Sequence, residues 1–210
     1  MSSTNRGYER HISDHYRTDK QVIRNFLTEF KKDVPESFQG FLDPCAGGDI
    51  EKKKDMPYPE VLKEFYKFSF IATIDVRENS PARNIKNYLD TYVDKKCFDV
   101  IITNPPFLQA LDFIQKALED VKPGGYVIMF LRLNFWGSAK RKEWLKANMP
   151  LYCYIHSERP SFIDEPIHTG KFDKSGKEKI LKPGDTDSIE YAHFVWRKGE
   201  NPEFTKTRLV

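Results

Sequence analysis

Cysteine is scarce and poorly placed for cross-linking. Cys45, Cys97 and Cys153 are three in 210 residues, far apart and without a Cys-x-x-Cys pair. That argues against a disulfide framework or a thiolate zinc site and for a reducing compartment such as the cytoplasm. Long apolar runs are missing too. No stretch approaches the roughly 18 residues of a membrane-spanning helix, and residues 1–10 are polar, without the apolar core of a secretion signal. Neither charge sign dominates: 34 basic against 31 acidic residues leave a net charge of +3. This is not the footprint of a nonspecific nucleic-acid coat, although a total conceals any local basic face. His11, His15, His156, His168 and His193 show no metal-ligand spacing. The Gly-x-Gly-x-x-Gly turn and the Gly-Lys-Ser/Thr loop are also absent, which disfavours a nicotinamide enzyme or a nucleotide hydrolase.

What is present suffices for one globular domain with a real core: 39% hydrophobic, 31% charged and 14% aromatic residues. Residues 1–10 are expected to be loose. Residues 19–30 carry Val22, Ile23, Phe26, Leu27 and Phe30 at helical spacing. Residues 40–42 form a short apolar run that ends in Asp43-Pro44-Cys45-Ala46-Gly47-Gly48-Asp49, a strand feeding a glycine turn. A helix is expected over 61–68, its approach interrupted by Pro57 and Pro59. Strands are expected over 70–76, 98–103, 126–133, 151–156 and 191–197, with helices over 108–118 and 140–147. Apolar runs alternating with helical stretches predict an α/β fold, a mostly parallel Rossmann-like sheet with helices on both faces. The last two strands have no clear helix between them and are expected to pair antiparallel. Residues 164–188 between them are polar, with Gly170, Gly176 and Gly184, and read as a flexible insertion or hairpin.

The most specific feature is Asn104-Pro105-Pro106-Phe107. At average residue usage this tetrapeptide arises by chance in about one chain in a thousand of this length. It also stands at the C-terminal end of an apolar strand, where open α/β sheets bind ligands. An aromatic amine is a poor nucleophile because its lone pair is delocalised into the ring. The Asn104 side-chain oxygen and the Pro105 carbonyl can accept its two N–H groups, favour an sp³-like nitrogen and stabilise the developing positive charge. Two prolines stiffen the turn, and Phe107 can stack on a flat acceptor. Asp75, at the end of the second strand, can accept both hydroxyls of a ribose or simply cap a turn. Asp90 is either an acceptor for an adenine amino group or a solvated loop acid.

Together these residues resemble the class I S-adenosylmethionine-dependent methyltransferases, specifically the amino-methylating DNA methyltransferases, over most of the chain. The resemblance implies that Asp43, Ala46 and Gly47 wrap the methionine half of the cofactor, that Asp75 holds its ribose and that Asp90 holds its adenine. Tyr16-Arg17-Thr18 resembles the family's Tyr-x-Thr-Pro segment near the methionine carboxylate, which implicates Tyr16 and Thr18. Asp19 replaces the proline there, and Asp49 replaces the second motif glycine. Residues 158–162 and 191–196 resemble the tail of small adenine methyltransferases carried by phages and prophages, with Phe162 either a second wall of the base pocket or a core residue.

The resemblance implies direct transfer of a methyl group to the N6 of adenine in DNA, with the base flipped into the Asn104–Phe107 pocket. RNA adenine, cytosine N4 and protein glutamine are the alternative acceptors, and a non-catalytic binding module is the alternative of another class. Lys171, Lys174 and Lys177, in a run that continues to Lys182, are candidates for phosphate contact. The basic residues Lys140, Arg141 and Lys142, like Lys52, Lys53 and Lys54, are read as solvated. Little chain remains for a separate target-recognition domain, so specificity is expected to be short or loose, or to come from a second subunit or an accessory partner.

Overall fold

The computed structural model describes residues 17–210 apart from Lys96, Asp164, Lys174 and Asp187. Its first helix, α1 (Lys20–Asp33), begins where Asp19 caps it, the carboxylate accepting from the Gln21 amide at 2.6 Å. The expected apolar face is the buried one, Ile23, Phe26, Leu27 and Phe30. Strand β1 (Gly40–Asp43) follows, then α2 (Pro57–Phe65). The sequence places this second helix later, with the prolines outside it. Instead Pro57 opens its first turn, where the backbone N–H that proline lacks would be unpaired anyway.

Strands β2 (Phe70–Asp75), β3 (Asn84–Ile85) and β4 (Val100–Thr103) come next, with a 3₁₀ turn at Tyr88–Asp90. A 3₁₀ turn at Phe107–Gln109 leads into α3 (Ala110–Asp120), and β5 (Tyr126–Arg132) follows. Two 3₁₀ turns, Leu133–Trp136 and Ala139–Arg141, precede α4 (Lys142–Ala147) and β6 (Tyr152–Ile155). The chain closes with β7 (Ile167–Phe172), β8 (Glu178–Leu181), β9 (Tyr191–Arg197) and β10 (Lys206–Leu209).

Eight strands form one sheet in the order β10-β6-β9-β5-β4-β1-β2-β3. All neighbours run parallel except β9, which is antiparallel to both β5 and β6. The expected antiparallel pairing of β6 and β9 is therefore present. The alternation of β5 divides the core: Tyr126, Ile128 and Phe130 pack with α1 and α2 on one face, while Val127, Met129 and Leu131 pack with α3 and α4 on the other. Residues 164–188 contain the β7–β8 hairpin, a separate two-stranded antiparallel unit. Because β6 and β5 point the same way, the hairpin leaves the sheet at the edge where β4 and β5 end. Among the described residues no helix is long and apolar enough to cross a membrane.

Candidate active site

The turn after β1 is latched to the end of β2. The Ala46 amide donates to the Ile74 carbonyl, the Gly47 amide to Asp75 Oδ2 at 2.8 Å, and the Ser80 hydroxyl to the Gly47 carbonyl. Gly47 and Gly48 both have φ near +70°, a region costly for residues with a Cβ, and a Cβ on Gly48 would sit 2.7 Å from Pro81. The Asp75 carboxylate is fully engaged. Besides Gly47 it accepts from the backbone amide and guanidinium of Arg77, which also reaches the Gly48 carbonyl.

Asp43 is completely buried beneath this turn. Its Oδ1 accepts from the Thr103 hydroxyl at 2.7 Å and the Cys45 amide at 3.2 Å, joining β1 to β4. Its Oδ2 has no hydrogen-bond partner among the described residues. Burial pushes the carboxyl up to about 7, the bonds from Thr103 and Cys45 only partly offsetting it and the charge of Asp75 adding to it.

Asn104-Pro105-Pro106-Phe107 begins where β4 stops, at the C-terminal edge of the sheet. The Asn104 amide nitrogen donates to the Thr18 hydroxyl at 3.0 Å, so the segment preceding α1 is tied to this turn across 86 positions of sequence. Phe107 is partly buried, its ring 5.9 Å from that of Tyr191, and Phe162 stands edge-on to Tyr191 at 5.0 Å. These three rings make one aromatic wall. The Arg132 guanidinium lies 4.7 Å from the Phe107 ring centroid, with its Nε buried and unpartnered among the described residues.

Between the two turns is a cavity of about 320 Å³, within the usual range for small-molecule sites. Thr18, Ala46, Gly47, Asp75, Asn104 and Pro106 line it, so six of the residues singled out in the sequence converge on one space. Asp90 does not join them. It is exposed and accepts from the Asn87 side chain, while Asn87 and Tyr88 line the cavity in its place. Asp43 lies behind the wall, and Phe107 and Phe162 stand on the aromatic side. Lys171 and Lys177 are exposed on the hairpin, and Tyr16 and Lys174 lie outside the described residues.

Two lining or supporting residues escape the sequence reading. Tyr58, between the two prolines of α2, lines the cavity and bonds to His193 Nε2 at 2.9 Å; His193 Nδ1 in turn meets His156 Nε2 at 2.8 Å. Burial raises the Tyr58 phenol well above its ordinary value, lowers His156 to about 4 and lowers His193 well below its ordinary value. A histidine inside the apolar strand β9 was the available clue. Among the described residues no cluster of His, Cys, Asp and Glu is placed to hold a metal.

No family model matches the sequence, and no curated protein does. Solved structures do. A protein of Listeria monocytogenes described as a class I S-adenosylmethionine-dependent methyltransferase superposes with a TM-score of 0.51 at 14% identity, over 95% of this chain and 67% of the other. An S-adenosylmethionine-dependent O-methyltransferase of Thermotoga maritima gives 0.51 at 13% identity, over 88% and 66%. The fold is that of the class I methyltransferases. A protein of Lactococcus lactis described as a hemolysin gives 0.53 at 10% identity, over 96% and 95%. Such divergent descriptions on one fold leave the function to be argued from the site.

Proposed function

We propose that the protein is an S-adenosylmethionine-dependent methyltransferase acting on an exocyclic amino group, the N6 of adenine in DNA. The observation that carries this reading is the placement of Asn104 and Pro106 on the same cavity as Thr18, Gly47 and Asp75. An amine-binding turn thus faces a glycine turn suited to a nucleoside cofactor. The residues fit that cofactor. The glycine turn allows close backbone approach, and the orphaned Oδ2 of Asp43 suits an environment that gains a positive charge. Asn87 is better placed than Asp90 to meet an adenine ring. For Asp75 to accept a ribose diol, Arg77 must turn away from it, so Asp75 both latches the turn and is the candidate ribose acceptor.

When bound, the cofactor supplies a methyl group activated by its sulfonium. This chain's residues do the rest. The Asn104 side-chain oxygen and the Pro105 carbonyl accept the N–H groups of the amine, and the stiff Pro105-Pro106 turn holds both in place. Phe107, with Tyr191 and Phe162 behind it, offers the flipped base an aromatic wall. Lys171 and Lys177 on the hairpin, with Lys174 between them in sequence, contact phosphates, and a second copy or an accessory protein extends the recognition surface.

The test is incubation with methyl-labelled cofactor and duplex DNA, RNA or a glutamine-containing protein, followed by digestion and mass spectrometry. Label in N6-methyldeoxyadenosine is expected. Label in N4-methyldeoxycytidine, in RNA or in glutamine would move the acceptor. No transfer to any of them, with cofactor binding intact by calorimetry, would leave a binding module instead.

A further inference from the structure

Arg17, Arg24, Arg77, Arg159, Arg197 and Arg208 each hold a carboxylate. Arg141 lies 4.5 Å from the Phe135 ring centroid and donates to the Phe135 carbonyl at 3.0 Å. Arg132 has neither kind of partner among the described residues. Its guanidinium is placed by the Phe107 ring, 4.7 Å from the centroid, and its Nε is buried without a hydrogen bond. A partly buried cation without a counter-charge is costly. The fold fixes where this charge sits and leaves its neutralisation to a ligand.

The position narrows the ligand. Arg132 is the last residue of β5, opposite Tyr191 of β9. β4 runs parallel beside β5 and ends at Thr103, so Arg132 stands at the sheet edge where Asn104 begins. The cation therefore lies against the very ring proposed to face the acceptor base. Positive charge grows on the amine nitrogen during methyl transfer, and a bare guanidinium nearby opposes it. An anion brought in with the acceptor removes that opposition. A base flipped out of a nucleic acid brings one, because a phosphate flanks it on each side, whereas a glutamine side chain brings none. Guanidinium also suits the role, since a cation held by its face on an aromatic ring keeps its N–H edge for paired bonds to phosphate oxygens.

Resting on the proposed methylation of a base in DNA, we propose that Arg132 is a specificity-determining residue that binds a phosphate next to the flipped nucleotide. It selects a base carried on a phosphate backbone over the same amine without one.

The test is binding, followed by fluorescence anisotropy in the presence of S-adenosylhomocysteine, and needs no turnover. The probe is a short duplex with one mispaired adenine, the base that flips at least cost. In Arg132→Gln the slope of log Kd against log salt should fall by about 0.9, the loss of one phosphate contact. Arg132→Lys keeps the charge and should retain the wild-type slope. A single neutral methylphosphonate is then placed in turn at each phosphate flanking the adenine. At one position the wild type should lose about tenfold in affinity and Arg132→Gln about twofold or less, since a charged hydrogen bond has already gone. An unchanged slope in Arg132→Gln, the same fall in both variants, or equal methylphosphonate losses in wild type and Arg132→Gln each overturn the proposal, because packing on Phe107 would then be the whole role of Arg132. A wild-type protein that binds no DNA overturns it as well. The expected binding pattern without methyl transfer would count against the amine reading alone, and methylation of adenine in DNA with equal methylphosphonate losses would count against Arg132 alone.

Discussion

Asn104 and Phe107 can be separated by substitution. Asn104→Ala removes the acceptor for the amine and should lower methyl transfer by about two orders of magnitude, the usual effect of losing one transition-state hydrogen-bond partner. Cofactor affinity by calorimetry should change little; a variant working at near wild-type rate would remove the amine-acceptor role. Phe107 is less free than its place in the motif implies. Arg132 covers one side of its ring and Tyr191 flanks it, so a base has only the remaining face on which to stack. Stacking is worth about 1–3 kcal/mol. Phe107→Ala should therefore cripple transfer while Phe107→Tyr and Phe107→Trp retain much of it. Comparable losses in all three would make the ring a packing element. Asn104, Gly47, Asp75 and Thr18 were legible in the sequence because each is a chemically distinctive residue at or near an element's end. Tyr58 and His193 were not, because the partners are 135 positions apart and meet only once α2 lies over β9.

At the scale of elements, strands with continuous apolar runs announced themselves, as β5 and β9 did. β3 and β10 did not. β3 is two exposed residues, and β10 is Lys206–Leu209, exposed throughout and held on β6 by backbone bonds that composition does not encode. The insertion resolved into a hairpin because Gly170 and Gly176 supply positive φ and Asp173 organises the tip, its carboxylate accepting from Ser175 and Lys177 amides. Its base is tied to the turn after β1 by ion pairs from Lys52 and Lys54 to Glu165, so these lysines have a structural partner beyond the solvated face expected of them. Lys171, Lys177, Lys179 and Lys182 are thereby carried at the C-terminal edge of the sheet, with Lys174 between them in sequence. Replacing all five with Gln should weaken DNA binding and flatten the dependence of log affinity on log salt, because fewer counterions are released. Cofactor binding should be untouched. An unaltered salt slope would shift the search for a nucleic-acid face to Lys140, Arg141 and Lys142.

Across the whole molecule, buried titrating groups set opposing pH dependences. His156 and His193 are neutral in the folded protein, their values lowered by burial, to about 4 for His156. Unfolded histidine has a value near 6.5, so as pH falls from about 6.5 towards 4 each binds a proton only when unfolded, and stability is lost. Asp43 acts the other way. Its folded value is raised to about 7 by burial, so between about 4 and 7 it carries a proton only when folded, and stability is gained as pH falls. Asp33 and Asp99 fall outside this window. Burial pushes each up, but hydrogen bonds from Arg208 and Tyr154 to Asp33, and from Lys122, Gly40 and Gln39 to Asp99, hold both below the usual carboxylate value. Among the described residues, two histidines against one aspartate leave a net uptake of one proton on unfolding, or about 1.4 kcal/mol of stability lost per pH unit between about 6.5 and 4. In Asp43→Asn the offset disappears and the slope should roughly double. In His193→Phe one histidine remains against Asp43, and stability should be nearly flat over pH 5–6.3. Urea unfolding at a series of pH values measures all three slopes. Equal slopes in the wild type and Asp43→Asn would mean that Asp43 is ionised in the folded protein. The orphaned Oδ2 would then be a buried charge requiring a positive partner.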